Sequence, residues 1–251
     1  MRLDAERPVD DLLRERPFRV GDVSGMLWRP AATTGPVPLV LMGHPGGLAQ
    51  MRPRLEARAR SSAMQGFASA TIEMPGAGER PASAEMTSAR ADLRDALRDG
   101  GMPSADIIDR LILPFVAEAV PEWRATLEGL SQLDEIGERV GFAGGATAVG
   151  VRLAVEEPRI VALGLFAGSF LPQQTFDEAR RVSIPVHMLL QWDDEGNDRQ
   201  AALDLFDALG SREKTLQANL GGHRGVPAHA GEDAARFFAR HLVSADDRPR
   251  P

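Results

Sequence analysis

The chain has 251 residues, 43% hydrophobic and 26% charged, with 36 acidic against 29 basic side chains and a net charge of -7. This content is enough to bury a full core, and the acidic balance disfavours polyanions, so no nucleic-acid partner is expected. The chain contains no cysteine, which excludes a disulfide framework, a thiol nucleophile and a Cys-based zinc site.

The opening segment, MRLDAERPVDDLLRERPF, is polar, with no apolar core of signal-peptide length. No later apolar run approaches membrane-spanning length, so no membrane partner is expected and the cytoplasm is the default location. Phe18-Arg19-Val20 and Ser24-Gly25-Met26-Leu27-Trp28 read as two strands of a hairpin turning at Gly21-Asp22. The continuous apolar run 37–42 has the pattern of a strand buried on both faces of a parallel sheet. It ends at His44-Pro45-Gly46-Gly47. A helix is predicted over 53–65, closed by Gly66, and a second buried strand over 67–72.

Residues 80–120 interrupt the simple alternation. Charges (Arg90, Asp92, Arg94, Asp95, Arg98, Asp99) mix with an apolar string, Ile107, Ile108, Leu111, Ile112 and Leu113, which implies two or three helices. They serve either as an elaborate crossover or as a cap over a site. Trp123, Leu127 and Leu130 then mark an ordinary crossover helix. Further strands are predicted at 139–143, 160–166, 186–190 and 215–219, with helices at 147–157, 198–209 and 232–242. Strands alternating with helices at this spacing predict an α/β fold with a doubly wound, mostly parallel sheet, formed as one domain over 1–251. The helical insertion, at about 80–120, falls between the fourth and fifth strands.

The segment 139–150 places a strand, a tight Gly turn and a helix in immediate succession, at the carboxyl end of a strand where such folds bind ligands. A dinucleotide site requires G-x-G-x-x-G near the first parallel strand, whereas Gly141, Gly144, Gly145 and Gly150 are spaced differently and follow a later strand. The other reading is a nucleophile elbow, G-x-S-x-G, in which small neighbours allow a sharp turn. Gly144-Gly145-Ala146-Thr147-Ala148 supplies the small residues, with Ala146 where serine is expected. No HExxH, other metal-ligand spacing or GxxxxGK[ST] phosphate loop is present, so no metal and no cofactor is expected.

Three loops at strand ends accompany that turn: His44-Pro45-Gly46-Gly47, the acidic Asp193-Asp194-Glu195, and Asn219-Leu220-Gly221-Gly222-His223-Arg224. Together with Glu73-Met74-Pro75-Gly76-Ala77-Gly78-Glu79-Arg80, their order resembles the α/β-hydrolase superfamily, in particular its dienelactone-hydrolase-like and esterase members, over about 18–242. The resemblance implies a serine attacking an ester, thioester or lactone carbonyl, with Ala146 at the nucleophile position. It also implies Asp194, chosen over Asp193 by spacing, as the acid and His223 as the base, with His229 a weaker rival. Gly46 and Thr147 would be the oxyanion-hole residues. His187 and His241 receive no role.

An alanine at the elbow has three explanations: an engineered Ser→Ala replacement in an active hydrolase, a natural non-hydrolytic enzyme using His223 and Asp194 as acid and base, or a binding module without catalysis. The apolar insertion suggests a small-molecule substrate that is partly hydrophobic. Oligomeric state is open.

Overall fold

The structure, a computed structural model, describes residues 1–166, 168, 170–223 and 225–243. Two short strands, β1 (Arg2–Leu3) and β2 (Arg7–Pro8), precede a hairpin of β3 (Leu13–Val20) and β4 (Val23–Pro30). The hairpin turns through Gly21, at φ 57°. There follow β5 (Val37–Gly43), α1 (Leu48–Met64), β6 (Ala68–Ile72), α2 (Ala84–Arg98), α3 (Ala105–Leu130), β7 (Ile136–Gly144) and α4 (Thr147–Glu156). The chain continues through β8 (Ile160–Phe166), α5 (Gln173–Ala179), β9 (Val186–Gln191), α6 (Arg199–Ala208), β10 (Lys214–Asn219) and α7 (Ala228–Leu242). All strands join one sheet in the order β1-β3-β4-β6-β5-β7-β8-β9-β10, with β2 beside β3. Pairing is parallel from β6 to β10 and antiparallel among β1 to β4 and between β4 and β6.

The continuous apolar runs follow from burial on two sides. Along β5, Leu39 and Leu41 join a core with residues of α3, α4 and α6, while Val40 and Met42 join a second core with residues of α1 and α7. In the first core Trp123 meets Phe142 edge to face, with ring centroids 5.8 Å apart. No helix among the described residues is long and apolar enough to cross a membrane.

Four helices differ from expectation, one of them, α5, in a stretch where none was predicted. The insertion contains two helices, and α3 runs on through the segment expected as a separate crossover helix, although Pro114 and Pro121 lie inside it. Each proline removes a helical hydrogen bond, at roughly 3 kcal/mol. The buried residues Val116, Ala119, Val120, Trp123, Leu127 and Leu130 recur at helical spacing, and burying each large one contributes about 1.5–3 kcal/mol, which outweighs that loss. The apolar string Ile107 to Leu113 is half-buried, and Ile112 packs on the core. Helix α1 starts at Leu48, five residues before the expected start, because a distant carboxylate caps it. Helix α7 starts at Ala228, four residues before the expected Glu232.

The only lysine of the chain, Lys214, directs its Nζ at the carbonyls of Phe206 (2.8 Å), Asp207 (3.2 Å) and Leu209 (2.9 Å) at the end of α6. A cation there satisfies carbonyls that have no helical partner and opposes the negative end of the helix dipole. Lys214→Met should therefore cost about 1–2 kcal/mol in urea unfolding. A shift within measurement error would show that the cap contributes nothing.

Candidate active site

Strands β5 and β7 end side by side, with Gly43 opposite Gly144. Gly144 has φ 148°, and a β-carbon there would lie 2.0 Å from the Gly43 carbonyl oxygen, so only glycine fits. Gly145 is exposed at the apex beside Pro45, and the chain enters α4 through Ala146, its N-cap, which is buried. The Ala146 β-carbon would be 3.3 Å from a β-carbon placed on Gly43, so the residue stands at the root of the His44-to-Gly47 loop. Thr147 opens α4, where backbone N–H groups have no helical partner, and its hydroxyl donates to Phe166 O at 3.0 Å. Ala146 lies at φ -84°, ψ 63°, and no described residue other than glycine has positive φ. Positive φ in this turn is therefore confined to Gly144, while Ala146 lies outside both the helical and the extended regions.

The neighbouring loop is tied down by side chains. His44, 1% exposed, donates from Nε2 to Ile72 O at 3.1 Å, and the Thr71 hydroxyl donates to Met42 O at 2.8 Å. Together they fasten the ends of β5 and β6 to each other. Glu73 accepts from the Leu48 N–H at 2.7 Å, placing a carboxylate at the start of α1. Gly78, at φ 57°, lies against that carboxylate, and Gly47 approaches so closely that its β-carbon would be 2.8 Å from Gly78 Cα. Arg80 joins this loop to Glu118 and Glu122 of α3 and donates to Glu73 O. Arg58 of α1 is half-buried with its guanidinium enclosed; it donates to Ala143 O at 3.1 Å, and burial lowers its pKa to about 10.

On the other side, Asp194 accepts from His223 Nδ1 at 2.7 Å. The Asp194 side chain is 2% exposed and that of His223 is 58% exposed, so the imidazole keeps a face open to solvent. Asp194 also accepts from Gly196 N–H at 3.0 Å and from the Asn197 amide. Burial raises the Asp194 carboxyl, but the bonds from His223, Gly196 and Asn197 outweigh this and hold it below its ordinary value. The His223 ring meets Phe166 edge to face at 5.5 Å. Phe166 therefore touches both sides of the site, through its carbonyl to Thr147 and through its ring to His223.

Asp193 meets a different partner. Its Oδ1 accepts from Gly221 N–H and Gly222 N–H, both at 2.9 Å, while Gln191 donates to Gly222 O at 2.7 Å. The two adjacent acids thus divide the work: Asp194 holds the imidazole and Asp193 holds the loop that carries it. If these groups act in catalysis, Asp193→Ala in an active background should lower kcat by about tenfold to a hundredfold by misplacing the base. Asp193→Asn, which retains an acceptor oxygen, should recover most of the loss. Equal losses for both would contradict the latch.

No protein-family model and no curated protein sequence matches the chain. Its structure is similar to that of a cold-adapted esterase from an Arctic intertidal metagenomic library, with 26% identity, a TM-score of 0.73, and coverage of 95% of this chain and 97% of that one. This is an α/β-hydrolase-fold protein. The same fold is seen in acetyl xylan esterase 1 from Thermoanaerobacterium sp. (14% identity, TM-score 0.64, 96% and 88% covered). It recurs in a predicted CIB-like hydrolase from Thermoplasma acidophilum (13% identity, TM-score 0.59, 91% and 98% covered).

Within this α/β-hydrolase fold, Gly46, Ala146 and Thr147 stand at the adjoining ends of β5 and β7, and Asp194 and His223 pair at the ends of β9 and β10. His229 lies apart, in α7 near Asp233. His187 bonds Thr215 at 3.0 Å and stacks on Phe237, and His241 pairs with Glu213. Glu73, Phe166 and Arg58 adjoin these residues without a role assigned from the sequence, and Asp193, weighed there as the alternative acid, holds the His223 loop instead. The Glu73 loop carried a signal as part of the resemblance to the α/β-hydrolase superfamily. Helix α2 adjoins that loop, where Met86 lies against Gly76 and Arg90 donates to Gly76 O at 2.9 Å.

Burial pushes the pKa of both His44 and His187 below the ordinary value. The folded protein then refuses a proton that the unfolded chain accepts near pH 6.5, so this stability is present above about pH 6.5 and lost as pH falls below it. Each histidine should contribute a slope of up to about 1.4 kcal/mol per pH unit. Urea unfolding at pH 7.5 and 5.5 should show the lower midpoint at 5.5, and equal midpoints would contradict the assignment.

Proposed function

We propose that this is the site of a serine-hydrolase-type enzyme for ester, thioester or lactone carbonyls, with the attacking hydroxyl missing at Ala146. The observation that carries the reading is the 2.7 Å Asp194–His223 pair, connected through Phe166 to the start of α4. The esterase names of the structural neighbours support the ester class. With a serine at 146, its Oγ would attack the carbonyl carbon while His223 Nε2 takes the proton and Asp194 stabilises the imidazolium. The developing oxyanion would be received by the N–H groups of Gly46 and Thr147, the latter at the positive end of α4. Collapse would break the carbonyl–alkoxide bond, with His223 returning its proton to the departing alcohol, and water activated by His223 would then release the acid. Without Oγ this covalent route is closed. The test is hydrolysis of p-nitrophenyl acetate: Ala146→Ser should turn it over, and an inactive Ala146→Ser would overturn the reading.

One observation favours a second reading. Ala146 carries no nucleophilic atom, while the His223–Asp194 pair is complete and the imidazole is exposed. A natural enzyme could use the His223–Asp194 pair directly as acid and base, in a lyase, isomerase or cyclase reaction. In that case the unaltered chain would convert a substrate and lose the activity with His223→Ala, whereas a binding module would do neither.

A further inference from the structure

Four apolar side chains with accessible surface either touch His223 or lie on the two segments that carry it and Asp194. Phe166 is half-buried against the imidazole, while Trp192 is 43% exposed, Leu220 70% and Val226 38%. Trp192 immediately precedes the two acids, and Leu220 immediately precedes the Gly221-Gly222-His223 turn. They follow the paired residues Gln191 and Asn219 directly, and the Trp192 N–H donates to Asn219 O at 2.7 Å, so they leave neighbouring strands at the same level.

This surface is held, not loose. Arg199 lies 4.3 Å from the centre of the Trp192 ring and donates to the Trp192 carbonyl, and Asp193 pins the backbone after Leu220. The other two tryptophans, Trp28 and Trp123, are 1% and 0% exposed. A rigid aromatic and aliphatic surface kept open beside a base is suited to an apolar ligand, because burial on binding recovers the cost of exposure without ordering the protein. The aliphatic side chains offer no hydrogen-bond partner to a charged or polar group, which favours a neutral chain.

We propose that Trp192, Leu220 and Val226 form an apolar shelf that binds the non-reacting end of a neutral carbonyl substrate, a medium-length alkyl or aryl group. The proposal rests on the ester reading of the site, and its test separates the two. Since the other tryptophans are buried, a ligand at the shelf changes Trp192 emission. Titrating the unaltered chain with methyl octanoate should give a saturable blue shift that Trp192→Phe abolishes and Leu220→Ser weakens by about tenfold. Methyl acetate at the same concentrations should give none. If octanoate gives no saturable shift while Ala146→Ser hydrolyses p-nitrophenyl acetate, the shelf fails and the ester reading stands. If the shift saturates while Ala146→Ser is inactive, the shelf stands as a binding site and the ester reading falls. A shift that follows protein concentration and self-association instead of ligand would assign the surface to a second copy and overturn the proposal.

Discussion

Ala146→Ser should raise hydrolysis of a small activated ester by about 10^4-fold or more over the unaltered chain. The size of the effect follows from what is already in place. An imidazole is paired to a buried carboxylate at 2.7 Å, helix N–H groups stand at the adjoining strand end, and on the proposed reading the component still missing is the oxygen that forms the covalent bond. Alanine and serine differ by one hydroxyl, and Ala146 heads the helix at its N-cap, a position that serine favours. Adding His223→Ala to the Ser variant should return the rate nearly to that of the unaltered chain, because nucleophile and base act as one unit and their losses do not add. A Ser variant that retains its rate after loss of His223 would mean that another group supplies the base.

Gly144→Ala should be among the most damaging single changes in the molecule. The added carbon would sit 2.0 Å from the Gly43 oxygen, in a backbone conformation (φ 148°) that residues with side chains rarely adopt. Overpacking and backbone strain together cost about 3–5 kcal/mol, a large share of the ~5–15 kcal/mol that stabilises an ordinary domain. For a chain of this length the melting temperature should fall by about 10 °C. Relief requires β5 and β7 to part at their ends, and the same ends carry Gly46 and Ala146. In an Ala146→Ser background activity should therefore fall by about a hundredfold beyond the stability effect. Gly145→Ala is the matched control, since its β-carbon would meet only Pro45 Cδ at 4.0 Å. Similar effects from the two substitutions would contradict the packing account.

Much of this arrangement was legible in the sequence, for identifiable reasons. Strands buried on both faces are continuous apolar runs, and β8 falls at residues 160–166 as read, because no charged residue interrupts it. The strand, turn and helix around Ala146, and the loops at His44, Asp194 and His223, are local signals at predictable places in a parallel sheet. What was not legible depends on contacts between distant segments. Helix α1 begins at Leu48 because Glu73, 25 residues away, takes its N–H. Helix α3 survives two prolines because its far side is buried on the sheet. Two adjacent aspartates are equivalent in sequence until the positions of the Gly221 and Gly222 N–H groups distinguish Asp193 from Asp194. The apolar string at 107–113 is half-buried, and the more exposed Trp192 and Leu220 stand at the ends of β9 and β10, on the segments that lead to Asp194 and His223.

The central claim is that an acyl-transfer site surrounds a missing hydroxyl, and covalent labelling tests it most directly. A fluorophosphonate should leave the intact mass of the unaltered chain unchanged and add one phosphonyl group to Ala146→Ser, with labelling slowed by about a hundredfold or more when His223→Ala is added. An Ala146→Ser variant that remains unlabelled would contradict the account, as would one labelled equally fast without His223.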